Sequence, residues 1–246
     1  MFRTLRNRRA RQTYGLTKPI AREVTYTVDA GGRSAEMVRS RFMADWLGQL
    51  GIAPRVILDL GSYDGGDSHR LARAYPDCRV IAVEADPTRL EIVRANLAGT
   101  GVEVVNAAVC ETDGPVPWFA ARIDGAVHAQ GSVFRHSDQY RKSYPFVRQE
   151  AEATEVPGRR FDSLMAELGV GAVDLLHMDI EGAEGIVLRS MGEVRPALIY
   201  MEWRDKFFEG AESAEERAAL MDRLGYALLL DLREDRLYLR GDLAGG

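Results

Sequence analysis

Arg55-Val-Ile-Leu-Asp59-Leu-Gly61-Ser-Tyr-Asp64-Gly65-Gly66 decides the fold of this 246-residue chain. A short, nearly continuous run of β-branched and leucine residues reads as a strand covered on both faces, and the glycines directly after it let the backbone turn sharply into a helix. The alternation continues downstream. A helix is expected near 65–75, a strand over Arg79–Glu84, a helix opened by Asp86-Pro87 and a third strand over Val102–Val109. After a segment at 111–150 rich in Gly, Pro, Ser and aromatic residues, a helix follows at Phe161–Leu168. Strands at Ala172–Asp179 and Ala197–Glu202 then flank a helix at Gly182–Met191. The Ser213-Ala-Glu-Glu216 capping box opens a helix to Leu224, and Tyr226–Asp231 with Arg236–Arg240 closes the chain as a hairpin. Strand-helix alternation of this kind implies an α/β, doubly wound, mostly parallel sheet with its ligand beyond the strand C-termini.

Upstream, Ser34 as an N-cap, Val38/Phe42 and Met43/Leu47/Leu50 at helical spacing, and Gly51 as a stop predict a helix over 34–50. Residues 1–33 read as a basic N-terminal arm and 34–246 as one domain, with 111–150 as a lid or acceptor segment because loops this long are commonly functional. Residues 1–22 hold seven basic side chains and no acid, so the net charge of −5 leaves −12 on the remainder. An acidic body argues against a cleft that embraces nucleic acid. No apolar run reaches the ~18 residues of a membrane span, and no signal-peptide core precedes the body, so a cytoplasmic protein is expected. Cys78 and Cys110 are too few for a disulfide framework and read as reduced thiols.

The loop points to a nucleotide-like ligand, but the spacing is not G-x-G-x-x-G, and the acids Asp59 and Asp64 suit a cationic cofactor better than a pyrophosphate. S-adenosylmethionine (SAM) fits that description. Glu84 ends the second strand, 23 residues after Gly61, near the offset at which an acid takes ribose hydroxyls. Small residues at Asn106-Ala-Ala-Val109 suit an adenine slot. The expected cofactor contacts are therefore Asp59, Gly61, Ser62, Tyr63, Asp64, Gly65, Glu84, Ala85, Ala107, Ala108 and Asp179. His177-Met-Asp179-Ile-Glu181 sends three polar side chains out of an apolar strand, which core packing does not explain.

On these residues the chain resembles the FkbM family of SAM-dependent methyltransferases. The resemblance rests on Asp59-Leu-Gly61, Glu84-Ala-Asp86-Pro87, Gly131-Ser132, Met178-Asp-Ile-Glu-Gly-Ala-Glu184 and Pro196 through Glu202, and it covers about 55–240. One departure is His177, which stands where the family usually has Lys. The resemblance implies a seven-stranded Rossmann-like (class I) methyltransferase sheet with its last strand antiparallel, usually methylating a hydroxyl of a sugar or polyketide product.

Transfer to a hydroxyl needs in-line alignment and a proton acceptor. The candidates are His136 and His128 in the 111–150 segment, which are favoured, then His177, Asp179 and Glu202. Alternatively Asp179, Glu181 and Glu202 hold magnesium, although hydrogen bonding to sugar hydroxyls without a metal is the preferred reading. Trp118, Phe119, Tyr140, Tyr144, Phe146 and Trp203 are candidates for an acceptor platform. The expected partner is a hydroxylated small molecule or oligosaccharide, with S-adenosylhomocysteine as coproduct and a homodimer as assembly. The rival readings are an RNA or protein methyltransferase, against which the lack of an N/D-P-P-Y/F segment after the fourth strand counts, and a non-enzymatic nucleotide-binding or assembly module working through the arm.

Overall fold

The computed structural model describes residues 25–30, 33–38, 46–202, 204, 206–231 and 235–244. The basic residues Arg3–Arg22 lie outside them. The described chain opens with an antiparallel hairpin of β1 (Thr25–Ala30) and β2 (Arg33–Val38), in which Ala30 pairs with Arg33. The expected helix over 34–50 is thereby corrected: 34–38 is strand, and among the described residues of that stretch the helical part is α1 (Trp46–Gln49). Its physical reason is legible afterwards: the Thr, Tyr and Val residues of 25–28, followed by Gly31-Gly32, form the two-residue hairpin signal, which prevails over a weak helical period.

The alternating part follows the sequence closely. It runs through β3 (Val56–Leu60), α2 (Gly66–Ala74) and β4 (Arg79–Glu84), then a 3₁₀ turn at Pro87–Arg89 that runs into α3 (Leu90–Asn96). Asp86 caps that turn by accepting the Thr88 N–H. The expected third strand is broken in two, as β5 (Glu103–Asn106) and β6 (Ala108–Val109). Only β5 joins the main sheet, and the chain leaves it at Ala107.

The 111–150 segment, in which a strand is expected around Trp118-Phe119, is mostly regular structure, and that strand is present. It contains β7 (Gly114–Ile123), β8 (Ala126–Ser132), α4 (Asp138–Ser143) and β9 (Arg148–Gln149), and β10 (Thr154–Arg159) follows. These strands form a second sheet in the order β6-β10-β7-β8, with β9 on β7. The helix α4, capped by the Ser137 hydroxyl accepting the Tyr140 N–H, was not anticipated. Its only fully enclosed side chain is Tyr140, so it carries no apolar stripe for a periodicity reading to find.

The remainder is α5 (Phe161–Glu167), β11 (Leu175–Met178), α6 (Glu184–Arg189), β12 (Leu198–Glu202), α7 (Ala214–Arg223), β13 (Tyr226–Asp231), β14 (Asp235–Arg240) and α8 (Gly241–Ala244). The main sheet has seven strands in the order β13-β14-β12-β11-β3-β4-β5. All its pairings are parallel except those of the last strand, β14. Consecutive strand residues feed opposite cores: Leu58, Leu176 and Ile199 pack with Phe161, Leu164 and Met221 on one face. Ile57, Leu175 and Leu198 pack with Leu47, Leu71 and Leu239 on the other. Because both faces are covered, these strands read as unbroken apolar runs.

Strand order reverses between β3 and β11, which makes a crevice beyond their C-terminal ends. Among the described residues, no helix is long and apolar enough to cross a membrane. The Ser213/Glu216 capping box at the start of α7 is formed in both directions. Ser213→Ala should therefore lower unfolding free energy by ~1 kcal/mol in urea titration.

Candidate active site

At the exit of β3, Gly61 adopts φ +84°, and a Cβ there would lie 1.9 Å from the Asp179 carbonyl oxygen. The two strand ends thus meet backbone to backbone. The N–H groups of Gly61 and Ser62 both donate to the Val83 carbonyl, at 3.0 and 3.1 Å, which ties the loop to β4. The Glu84 carboxylate accepts the Tyr63 N–H at one oxygen (2.7 Å) and the Asp86 N–H at the other (2.8 Å). Burial pushes the Glu84 carboxyl up to about 7, against the opposing pull of those two bonds and of Arg89.

A cleft enclosing about 620 Å³, open to solvent, lies over these ends. Its floor includes Gly61, Tyr63, Glu84, Ala85, Ala107 and Ala108, with Asp179 at the end of β11. Seven of the expected cofactor contacts therefore share one cavity, whereas Asp59, Ser62, Asp64 and Gly65 do not line it. Asp59 is fully buried, with one oxygen accepting the Ser68 hydroxyl and the other 2.7 Å from His177 Nδ1. Asp64 accepts the Gly66 N–H at 2.9 Å and braces the start of α2. Ser62 is buried, and Gly65 makes room for Leu97. The acids expected to face a cationic cofactor instead hold the loop in shape.

Val109 of the expected adenine slot also lines the cleft, as do Asp86, Arg89 and Ile180, which were not anticipated. Asp86-Pro87 signals a helix start, but the same turn carries Arg89 back over the Tyr63 ring, 4.0 Å from its centroid. The opposite wall comes from the second sheet: Trp118, His128, Gly131 and Val133. The β7–β8 register shifts between Phe119 and Ala121, a bulge of the kind that re-aims side chains at sites. A Cβ on Gly131 would fall 2.6 Å from the Trp118 ring, so the indole packs directly on that backbone. Ser132 fastens this wall to the main sheet by donating to the Glu181 carbonyl at 2.7 Å.

The three histidines separate. His136 is enclosed: Nε2 lies 2.8 Å from the Gln130 carbonyl, and the ring stacks on Tyr140 at 3.7 Å, away from the cleft. His177 is buried against Asp59 and Tyr200 and also stays out of the cleft. Neither lines the cleft, contrary to both expectations. His128 alone lines the cleft, and burial lowers its pKa. Of the aromatic candidates, Trp118 faces the cavity, Phe119 lies under Arg135 at 3.8 Å, Tyr140 is core, and Phe146 is 79% exposed. Tyr144 packs with Tyr140 and Phe207, and Trp203 lies outside the described residues.

Asp179, Glu181 and Glu202 come together, with ligand oxygens all within 4.8 Å of one another. Their surroundings do not suit a divalent ion. Arg204 already stands there, with Nη2 2.8 Å from Glu202 and Nη1 3.8 Å from Glu181. Burial, with the charges of Asp179 and Glu181, pushes the Glu202 carboxyl up to about 11, and it hydrogen-bonds Asp179. Enclosure favours the neutral form of Glu202, while Asp179 is exposed at the end of β11. Arg204 supplies positive charge to the cluster, facing Glu202 and Glu181.

Residues 59–228 match the family model described as the methyltransferase FkbM domain. The chain is 28% identical to the 2-O-methyltransferase NoeI of Sinorhizobium fredii (strain NBRC 101917 / NGR234), over 63% of its own length and 66% of that protein's. It is 44% identical to a release factor glutamine methyltransferase of Mycolicibacterium smegmatis, over 29% of this chain and 24% of that one. The matches therefore span less than two thirds of these relatives. Among solved structures, Aeropyrum pernix fibrillarin with natively bound S-adenosyl-L-methionine aligns at 14% identity and a TM-score of 0.44, covering 77% of this chain and 66% of that one.

A carboxyl raised to about 7 makes folding depend on pH. Between the ordinary carboxylate range and that value, the folded state holds a proton that the unfolded state has lost, so stability falls as pH rises through the window. Chemical denaturation at pH 5 and pH 8 should show the wild type losing on the order of 3 kcal/mol more than Glu84→Gln. Equal losses in the two proteins would overturn this reading of Glu84.

Proposed function

The chain belongs to the FkbM methyltransferase family, and from that premise we propose that it is an S-adenosylmethionine-dependent O-methyltransferase acting on a hydroxyl of a sugar, oligosaccharide or polyketide-type acceptor. One observation carries the reading. A single cleft joins a glycine turn and the ribose-suited Glu84 at one end to the open carboxylate of Asp179 at the other. The name of the relative NoeI, a 2-O-methyltransferase, supports oxygen as the acceptor atom. The short match to a glutamine methyltransferase favours a protein acceptor less, because Asp179-Ile-Glu-Gly follows β11 in place of an N-P-P-type segment.

The cleft fits the cofactor on its own chemistry. The missing Cβ at Gly61 lets the loop close against the Asp179 carbonyl, so that Gly61 and Asp179 line one cavity. Each Glu84 oxygen takes one N–H and keeps capacity for one ribose hydroxyl. Ala85, Ala107, Ala108 and Val109 offer an apolar slot for a purine. When bound, the cofactor supplies an electrophilic methyl group on its sulfonium.

The residues of the chain then have to orient an alcohol and take its proton. Asp179 is the base, since its exposed carboxylate lines the cleft and is hydrogen-bonded to Glu202. Glu202, hydrogen-bonded to it and held by Arg204, fixes its orientation. Trp118, Val133 and Ile180 exclude water from the same space.

With a glycoside acceptor found by screening for S-adenosylhomocysteine formation, Asp179→Asn should lower kcat by ~10²–10⁴-fold. S-adenosylhomocysteine affinity, measured by calorimetry, should meanwhile change by less than about tenfold. Failure of the wild type to bind that compound would sink the proposal. Because Arg204 supplies the positive charge of the acidic cluster, turnover in EDTA should equal turnover in excess magnesium. A magnesium-dependent rate would reverse that assignment.

A further inference from the structure

We propose that His177 is a positioning residue: its ion pair with Asp59 beneath the cleft floor fixes the Gly61 loop against the Asp179 strand end, and so sets the geometry in which methyl donor and acceptor meet. The inference rests on the methyltransferase reading above, because it concerns the same cleft.

His177 and Asp59 are register partners on the adjacent parallel strands β11 and β3. Their side chains join at 2.7 Å between Nδ1 and Oδ1, with both residues buried. The second Asp59 oxygen accepts the Ser68 hydroxyl from α2. One carboxylate therefore holds three elements: the strand before the 61–65 loop, the helix after it, and the strand that carries Asp179. Two residues beyond the pair on each strand, Gly61 and the Asp179 carbonyl make their close approach. The Asp179 N–H also donates to the Leu60 carbonyl at 3.0 Å. Any shift of β11 relative to β3 is passed straight to the cleft.

The histidine ring is itself fixed. It stacks on Tyr200 of β12, with centroids 5.4 Å apart and planes 18° from parallel. The charged groups around it are Asp59 from β3, Asp179 on its own strand and Asp235 from β14. Burial disfavours the imidazolium, but these three acids, Asp59 foremost, outweigh it and raise the pKa. Neither partner lines the cleft, so neither touches cofactor or acceptor. An apolar pair of similar volume would usually serve stability as well as a buried ion pair. What the pair adds is a fixed distance and direction between two strand ends.

The test titrates S-adenosylhomocysteine into wild type, His177→Phe, His177→Gln and His177→Lys by calorimetry, with thermal unfolding recorded for each. Loss of a charged hydrogen bond at this position is expected to weaken binding by about tenfold or more in His177→Phe. His177→Lys, which returns a cation to Asp59, should recover affinity to within about threefold of wild type. A purely structural role would lower the unfolding temperature yet leave the affinity of the folded protein unchanged, and that result in His177→Phe overturns the proposal. If His177→Phe does not fold, the other two variants decide. Weaker binding by His177→Gln than by His177→Lys supports the proposal, and wild-type affinity in both overturns it. Absent binding in the wild type would instead strike the methyltransferase reading, and this inference with it.

Discussion

The close approach of Gly61 to the Asp179 carbonyl is the constraint on which the rest of the site depends. Two parallel strands that part in opposite directions around the sheet leave a crevice at their ends, and its width is set by how near their backbones come. A side chain at position 61 would collide with the neighbouring carbonyl at 1.9 Å. Glycine is therefore the residue that allows the loop to lie flat on the end of β11. The loop N–H groups then reach Val83 and Glu84, and the ribose-suited carboxylate is carried into the same cavity as Asp179.

Around that contact the protein buries several charged side chains close to opposite charges. Asp59 is held by His177 and Ser68, and Glu202 and Glu181 by Arg204. The fully buried Arg217 of α7 lies 3.9 Å from Glu184 and donates to the Arg204 carbonyl at 2.7 Å. Buried ions are costly singly, and a chain of them is tolerable only when each has a partner. Within this network Asp179 is the exposed carboxylate, whereas Asp59, Glu181 and Glu184 are buried.

Much of the site was legible in the chain before any coordinates. The strand-glycine-helix step at 55–66, Glu84 at its expected offset and Asp179 at the end of an apolar strand are local patterns, and each appears where local geometry requires. The second sheet was not legible. Its strands β6, β7 and β10 pair across 36 to 50 residues, and no local period announces such pairing. The helix expected at 34–50 failed for the opposite reason: a local period was present, but a local turn signal at Gly31-Gly32 competed with it.

The sequence by itself determined the main sheet and the acids of the cleft, because apolar periodicity and glycine placement act over neighbouring residues. Only the tertiary structure decided which polar residues face the ligand. Asp59 and Asp179 read alike as acids at the ends of apolar strands, yet one is locked to a histidine and the other open to the cavity. His136 and His128 read alike as histidines of one segment, yet one is packed under Tyr140 and the other lines the wall. Which way a side chain points depends on the strand beside it, and a sequence records neighbours along the chain rather than across the sheet.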